Sequence, residues 1–425
     1  MPTIAFKSLG CKLNQYENQA LLEGFKRYGF HEVPPTESSD FYILNTCTVT
    51  EGADKEARYL IRQFNRRNHK AQIIVTGCYA HAAKQELEQL PGVAMVVDNT
   101  AKNQIVHKVT GIEETKEEES PFFKHGISSF NSLDKAFVKV QDGCNYFCTF
   151  CKIPFVRGRL QSRDERAILQ EVERLISAGF EEIILSGVCL GSYGKDTTRE
   201  RKLVDLIQSI LRIPGNFRIR LSSIDPRDTP GALVELMQKS PKLCPHLHLS
   251  LQSGSDKILN AMRRGYTRED YRSIVTHAQS LLPYIGITTD VIVGFPGEGE
   301  EEFEETREFV QSIGFHHVHF FPYSEREQTK AIHLADKVPS SIIHQRMQRI
   351  QNEFSSQLPQ TLKRYVSSNL QVLVESGRTK AGSLQGFSEN YLKCIFDGPD
   401  SLIGRVVTVQ AYESCGNKLI CRLTH

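Results

Sequence analysis

The sequence predicts an α/β protein in three parts: an N-terminal parallel-sheet domain, a larger domain of six strand–helix units, and a small C-terminal β-barrel. Three observations predict it. A strand–Cys–helix unit occurs three times near the start of the chain. Strands and helices alternate six more times from residue 136. The final stretch changes to short strands separated by Gly and Asn turns. Alternating strands and helices imply parallel pairing with right-handed crossovers. Short strands joined by turns instead suit a small closed barrel. The parts span 1–112, 136–358 and 359–425, with a connector at 113–135.

The N-terminal part reads as follows. Ile4-Ala5-Phe6-Lys7-Ser8-Leu9 is a strand running into Gly10-Cys11, and a helical pattern over 18–28 is stopped by Gly29. Phe41-Tyr42-Ile43-Leu44 runs into Asn45-Thr46-Cys47, with a helix over 53–67. Ile73-Ile74-Val75-Thr76 runs into Gly77-Cys78, with a third helix after it, and 95–98 adds a strand. In parallel sheets, ligands bind beyond the carboxyl ends of the strands. Cys11, Cys47 and Cys78 all fall at that edge. They are either candidates for a shared three-thiolate cluster or plain packing at strand ends. On the second helix Arg58, Arg62 and Arg66 share one face, which is either solvated or a phosphate track for RNA.

Five glutamates fall within 113–119, and low-hydrophobicity sequence continues to about 135, which predicts a flexible connector. Strands follow at 136–140, 182–185, 218–221, 246–251, 287–293 and 317–321. Cys144, Cys148 and Cys151 come directly after the first of them. Three thiolates hold three irons of a 4Fe-4S cube and leave the fourth open. A structural zinc site wants a fourth ligand close by. The polar loop residues Gly143, Asn145 and Thr149 speak against three unrelated core cysteines.

This spacing, with aromatic Phe150 before the last cysteine, resembles the cluster motif of the radical S-adenosylmethionine (SAM) superfamily. The resemblance implies that the open iron binds SAM, which reduction splits into methionine and a 5′-deoxyadenosyl radical. It also implies a partial TIM-type (βα)6 barrel with the site at the carboxyl ends of its strands. On that resemblance the SAM contacts are Phe150, Ser186 and Gly187 after the second strand, Ser223 and Asp225 after the third, Gln252 after the fourth and Asp290 on the fifth. Arg157, in Arg157-Gly158-Arg159, is either a candidate to hold the SAM carboxylate by bidentate pairing or part of a surface basic turn. Cys189 stands where the family has Asn, and Lys152 where an apolar residue is usual. Cys189, Cys244, Cys394, Cys415 and Cys421 read as non-ligands.

The segment 338–362 reads as a long helix leading to the tail. Tail strands are expected at 370–374, 392–396, 406–410 and 419–423; either Tyr391, Lys393 and Phe396 face RNA, or the tail is a small domain that only packs on the barrel.

Gly10-Cys11-Lys12-Leu13-Asn14-Gln15-Tyr16-Glu17, Asn45-Thr46-Cys47-Thr48-Val49-Thr50 and Thr76-Gly77-Cys78-Tyr79 resemble the N-terminal motifs of the radical SAM methylthiotransferases. The tail resembles the TRAM domain of that family. The resemblance implies two 4Fe-4S clusters, held by Cys11, Cys47 and Cys78 and by Cys144, Cys148 and Cys151. It implies two SAM molecules, one donating a methyl group and one a radical. The first two motifs look most like the branch that acts on threonylcarbamoyl-adenosine beside the tRNA anticodon. Sister branches act on isopentenyl-adenosine or on a ribosomal-protein aspartate. A flavodoxin- or ferredoxin-type electron donor is expected.

Bulk composition sets outer limits. The 425 residues suffice for several cores. Lys+Arg at 52 against Asp+Glu at 50 leaves local patches, not global charge, to recognise nucleic acid. No apolar run reaches the length of a membrane span, and no signal-peptide segment opens the chain. Eleven cysteines then predict a reducing, cytoplasmic setting.

Overall fold

The N-terminal strands β1 (Thr3–Ser8), β2 (His31–Glu32), β3 (Phe41–Thr46), β4 (Gln72–Gly77) and β5 (Val93–Val97) form a parallel sheet in the order β2-β1-β3-β4-β5. This computed structural model describes residues 1–112, 120–130, 134–197 and 202–424. The register sets Ser8 beside Asn45 and Asn45 beside Thr76. Cys11, Cys47 and Cys78 therefore leave the sheet at one level. Helix α1 (Lys12–Arg27) starts directly after Cys11, ahead of the expected position. Its first turns bury Asn14 and Glu17, polar residues that an apolar periodicity cannot register. Helix α2 (Glu51–Arg67) starts at Thr50, whose side chain accepts from Ala53 N. The expected third helix is two short ones, Cys78–Ala82 and Lys84–Glu88.

The six barrel strands are β6 (Ala136–Lys139), β7 (Glu182–Ser186), β8 (Arg218–Leu221), β9 (His246–His248), β10 (Gly286–Val293) and β11 (His317–Pro322). They pair in parallel as β8-β7-β6 and as β9-β10-β11. Bridges Ile219↔Leu243 and Ile224↔Leu249 join the halves. No pairing connects β6 to β11 among the described residues, so the barrel is partial. One strand face, with Ile183, Leu185, Ile219, Leu221, Leu247 and Ile287, packs into the main core. The alternate positions carry Glu182, Arg218, Arg220, His246, His248 and Asp290, as a period of two requires.

Helix α3 (Ser340–Lys363) leads to a closed barrel of β12 (Asn369–Glu375), β13 (Leu384–Ser388), β14 (Lys393–Phe396), β15 (Val406–Cys415) and β16 (Lys418–Leu423), in the order β12-β13-β14-β16-β15. This tail docks on the polar strand positions. Arg220 donates to Ser388 O at 2.9 Å and Glu389 O at 3.0 Å, and Glu182 holds the same guanidinium. Tyr391 stacks on His246 at 4.5 Å and on Phe387 at 4.7 Å, while Phe396 lies in the tail's own core. The expectation that Tyr391 and Phe396 face RNA is therefore corrected: the half-buried Tyr391 ring is taken up by stacking on His246 and Phe387, and the Phe396 ring is buried.

The glutamate run at 113–119 lies outside the described residues. Residues 120–130 do not behave as the loose connector expected. Ile127 and Phe130 are buried in the main core, Ile127 N donates to Glu171 Oε1 at 2.9 Å, and Ser128 N donates to Glu23. No described helix is long and apolar enough to cross a membrane.

Candidate active site

Cys144, Cys148 and Cys151 line one cavity of about 160 Å³ above the barrel strands. Phe147 turns their loop back with φ 50°, unusual for a bulky residue, and Arg159 lies 4.7 Å over its ring. Two guanidiniums flank the middle thiol. Arg264 Nη1 donates to Cys148 Sγ at 3.3 Å, and Arg227 Nη2 lies 3.9 Å from it. Asp225 holds both arginines at 2.7 Å. Two cations against one carboxylate leave a positive excess beside Cys148. A hydrogen bond from Cys189, helped by Tyr146 N–H and opposed by burial, lowers Cys144 to about 7. Burial and the neighbouring Cys148 push Cys151 up to about 12. Three thiols with a cationic rim around one cavity fit a 4Fe-4S cube with an open iron.

Phe150, Ser223, Asp225 and Gln252 line this cavity. Gln252 has φ 71° and is held to β10, its N–H on Asp290 O at 2.8 Å and its carbonyl accepting from Ile292 N at 2.9 Å. Asp290 lines an adjoining cavity and pairs with His248 at 3.0 Å. Ser186 and Gly187 stand behind the wall. The Ser186 hydroxyl is buried without a partner, and a Cβ on Gly187 would lie 2.8 Å from Gln141 Oε1.

Arg157 is corrected. It does not line the SAM-side cavity but crosses to the N-terminal domain. Its guanidinium donates to Asp142 at 3.0 Å, Glu17 at 3.0 Å and Asn14 at 2.7 Å. Lys102 and Lys139 complete this buried network, 2.5 and 2.7 Å from Glu17. Both terminal nitrogens of the guanidinium are directed into that network.

The network lies against the first three cysteines. Gly10, with φ +85°, lets the loop before Cys11 close on Cys47, since a Cβ there would sit 2.7 Å from Cys47 Sγ. Burial pushes Cys47 up to about 12, and the charges of Cys78 and Cys11 act in the same direction. Asn99 Nδ2 lies 3.7 Å from Cys78 Sγ and donates to Val156 O at 2.7 Å, tying Cys78 to the barrel. Among the described residues no His, Cys, Asp or Glu group closes on a single metal ion. In a cube each thiolate meets its own iron, so thiols that do not close on a single ion still suit that donor set.

The adjoining cavity, about 240 Å³, lies between the two domains. Thr48 and Thr50, just past Cys47, form one wall, and Cys151, Gln252 and Asp290 form another. Phe150, Cys151, Ile153 and Gln252 also line the first cavity, so the two adjoin. Arg326 clamps the junction by pairing with Asp54 and donating to Thr48 Oγ1 at 2.6 Å.

A family model described as the Radical SAM superfamily matches residues 138–310, and one described as "Uncharacterized protein family UPF0004" matches residues 3–98. The threonylcarbamoyladenosine tRNA methylthiotransferase MtaB of Bacillus subtilis is 35% identical, covering 96% of this chain and 94% of its own. The chain belongs to the radical SAM methylthiotransferases. A tRNA-2-methylthio-N(6)-dimethylallyladenosine synthase of Carboxydothermus hydrogenoformans is 32% identical over 95% of each chain. Among solved structures, the radical SAM methyltransferase TsrM of Kitasatospora setae superposes with a TM-score of 0.56 at 14% identity, covering 76% of this chain and 75% of its own, a likeness of fold.

Membership in the radical SAM methylthiotransferases implies a 4Fe-4S cluster and SAM. Sequence reasoning missed Arg227 and Arg264 beside Cys148. Arg227 follows Asp225 by two positions, a usable hint. Arg264 lies beyond the fourth barrel strand and reaches the thiol only through the fold. Of the α2 arginines, Arg58 bonds Tyr79 and Glu86, while Arg62 and Arg66 are exposed.

Proposed function

We propose that this methylthiotransferase places a methylthio group on carbon 2 of threonylcarbamoyl-adenosine in the tRNA anticodon stem-loop, using two 4Fe-4S clusters and two SAM molecules. The cavity at the domain junction carries the reading. Its lining joins residues just past Cys47 to Cys151 of the other thiol set, so a base held there would meet side chains from both cysteine-bearing domains. The Bacillus subtilis relative, named for this substrate, supports it.

When bound, the clusters and SAM supply the sulfur, the methyl group and a radical able to act on a carbon without a leaving group. The protein's own side chains bind, orient and exclude water. Cys11, Cys47 and Cys78 hold one cluster, and Cys144, Cys148 and Cys151 hold the other. Arg227 and Arg264 set positive charge beside Cys148 of the second set. Phe150, Ser223, Asp225 and Gln252 hold SAM, and Asp290 faces the substrate side with His248 fixing its carboxylate. Phe150 and Ile153 form an apolar partition that excludes water between the cavities. The tail, with the exposed Arg62 and Arg66, meets the RNA backbone. A flavodoxin- or ferredoxin-type donor supplies electrons in the cytoplasm.

The test is mass spectrometry of tRNA nucleosides from a strain lacking its own copy, with and without this chain. Gain of 2-methylthio on threonylcarbamoyl-adenosine is expected. Gain on isopentenyl-adenosine alone, or no change in tRNA, refutes the substrate.

A further inference from the structure

We infer that Lys152 selects a substrate bearing a carboxylate, its ammonium group receiving the threonyl carboxylate in the junction cavity. The inference rests on the substrate reading above and assigns its specificity to one side chain.

Lys152 follows Cys151 and lines the cavity beside Thr48, Thr50 and Ser324. It is 8% exposed. Its ammonium has neither a hydrogen bond nor an ion pair among the described residues. Every other buried lysine or arginine among them is paired with a carboxylate. The side chain lines the cavity without a protein counter-charge, so an anionic group entering there meets an unpaired cation.

The surroundings do not supply it. Asp54 is the carboxylate nearest in effect, and it is already paired with Arg326, which also donates to Thr48 Oγ1. Glu327 adds a second, weaker negative influence but makes no ion pair with Lys152. Across the cavity Asp290 is bound to His248 and repels a second carboxylate. That asymmetry directs an anionic group to the Lys152 side. Between these ends Val49, Ile292 and Phe321 offer apolar surface for a base.

A threonylcarbamoyl group carries one carboxylate and one hydroxyl. A dimethylallyl group carries neither, and in this cavity it would leave Lys152 desolvated and unpaired. A site built around a polar partner rejects the analogue lacking it far more strongly than an apolar pocket rejects an extra methylene. The hydroxyls of Thr48, Thr50 and Ser324 line the same wall and suit the threonyl hydroxyl.

The test uses reconstituted holoenzyme and two anticodon stem-loop RNAs. One carries threonylcarbamoyl-adenosine, and the other carries it with the carboxylate as its methyl ester. Methylthiolation gives kcat/KM, and RNA affinity is measured without SAM. Wild type should prefer the acid by about 10- to 100-fold, the worth of one charge-assisted hydrogen bond. Lys152→Met should bring the acid-to-ester ratio near one in both readouts, and Lys152→Arg should restore part of it. Wild type that treats acid and ester alike overturns the inference without any variant. So does a Lys152→Met enzyme that keeps the wild-type ratio. Wild type that modifies neither RNA overturns the substrate reading itself, a separate result.

Discussion

Replacing Glu17 by Gln should destabilise the protein more than losing Arg157. The Glu17 carboxylate meets Lys102 at 2.5 Å, Lys139 at 2.7 Å and Arg157 at 3.0 Å, with all four side chains almost fully buried. Burial alone would push its carboxyl up, but Arg157, Lys102 and Lys139 outweigh that and hold it well below the usual range. With Asp142 the network sets three cations against two carboxylates. Glu17→Gln leaves three against one, and the new amide turns a donor toward groups that only donate. Removing one partner of a buried pair costs about 3–5 kcal/mol, and this case belongs at the upper end. Arg157→Met leaves two against two, with Lys139 still 2.5 Å from Asp142, and belongs near the lower end. The assay is anaerobic urea unfolding followed by far-UV circular dichroism, since the chain has no tryptophan. Glu17→Gln within about 0.5 kcal/mol of wild type, the range of surface changes, would refute the reasoning. So would Arg157→Met proving the more damaging. If Arg157 held SAM instead, its loss would raise the KM for SAM and leave unfolding unchanged.

Three further outcomes are expected. Reconstituted wild type should hold about eight irons, and Cys11→Ala, Cys47→Ala and Cys78→Ala together should leave about half, with SAM cleavage kept and methylthiolation lost; full iron in that variant would exclude the N-terminal cluster. Arg264→Met removes a cation from Cys148 and a partner from Asp225, so the midpoint potential of that cluster, followed by EPR titration, should become more negative; an unchanged or higher potential would contradict the rim's role. His316 Nε2 accepts from Arg364 at 2.9 Å, and burial with the Arg364 charge lowers its pKa to about 3. The unfolded chain therefore binds the extra proton between about 6.5 and about 3, and stability should fall as pH drops through that window, by up to about 1.4 kcal/mol per pH unit. His316→Gln should flatten that slope in thermal melts, and an identical pH profile would disprove the assignment.

Local chain patterns carried most of the fold. The N-terminal strands ending in cysteine, the six barrel strands, the long helix before the tail and the tail strands follow from apolar period, turn residues and strand-end glycines, all of which act within a few positions. The Leu384–Ser388 strand was not placed, because its sequence, Leu-Gln-Gly-Phe-Ser, lacks a β-branched run. The early start of α1 was hidden for a related reason: Asn14 and Glu17 are buried by hydrogen bonds and charge, not by hydrophobicity.

The site divides in the same way. The sequence by itself determined which cysteines stand at strand ends and the spacing of Cys144, Cys148 and Cys151, because these depend on neighbours along the chain. Tertiary structure alone decided that Arg157 belongs to Glu17 and Asp142, that Arg264 reaches Cys148, that Tyr391 packs on His246, and that Lys152 is left without a counter-charge. Charge pairing and burial depend on distance in space, and residues such as 17 and 157 become neighbours only when two domains close on each other.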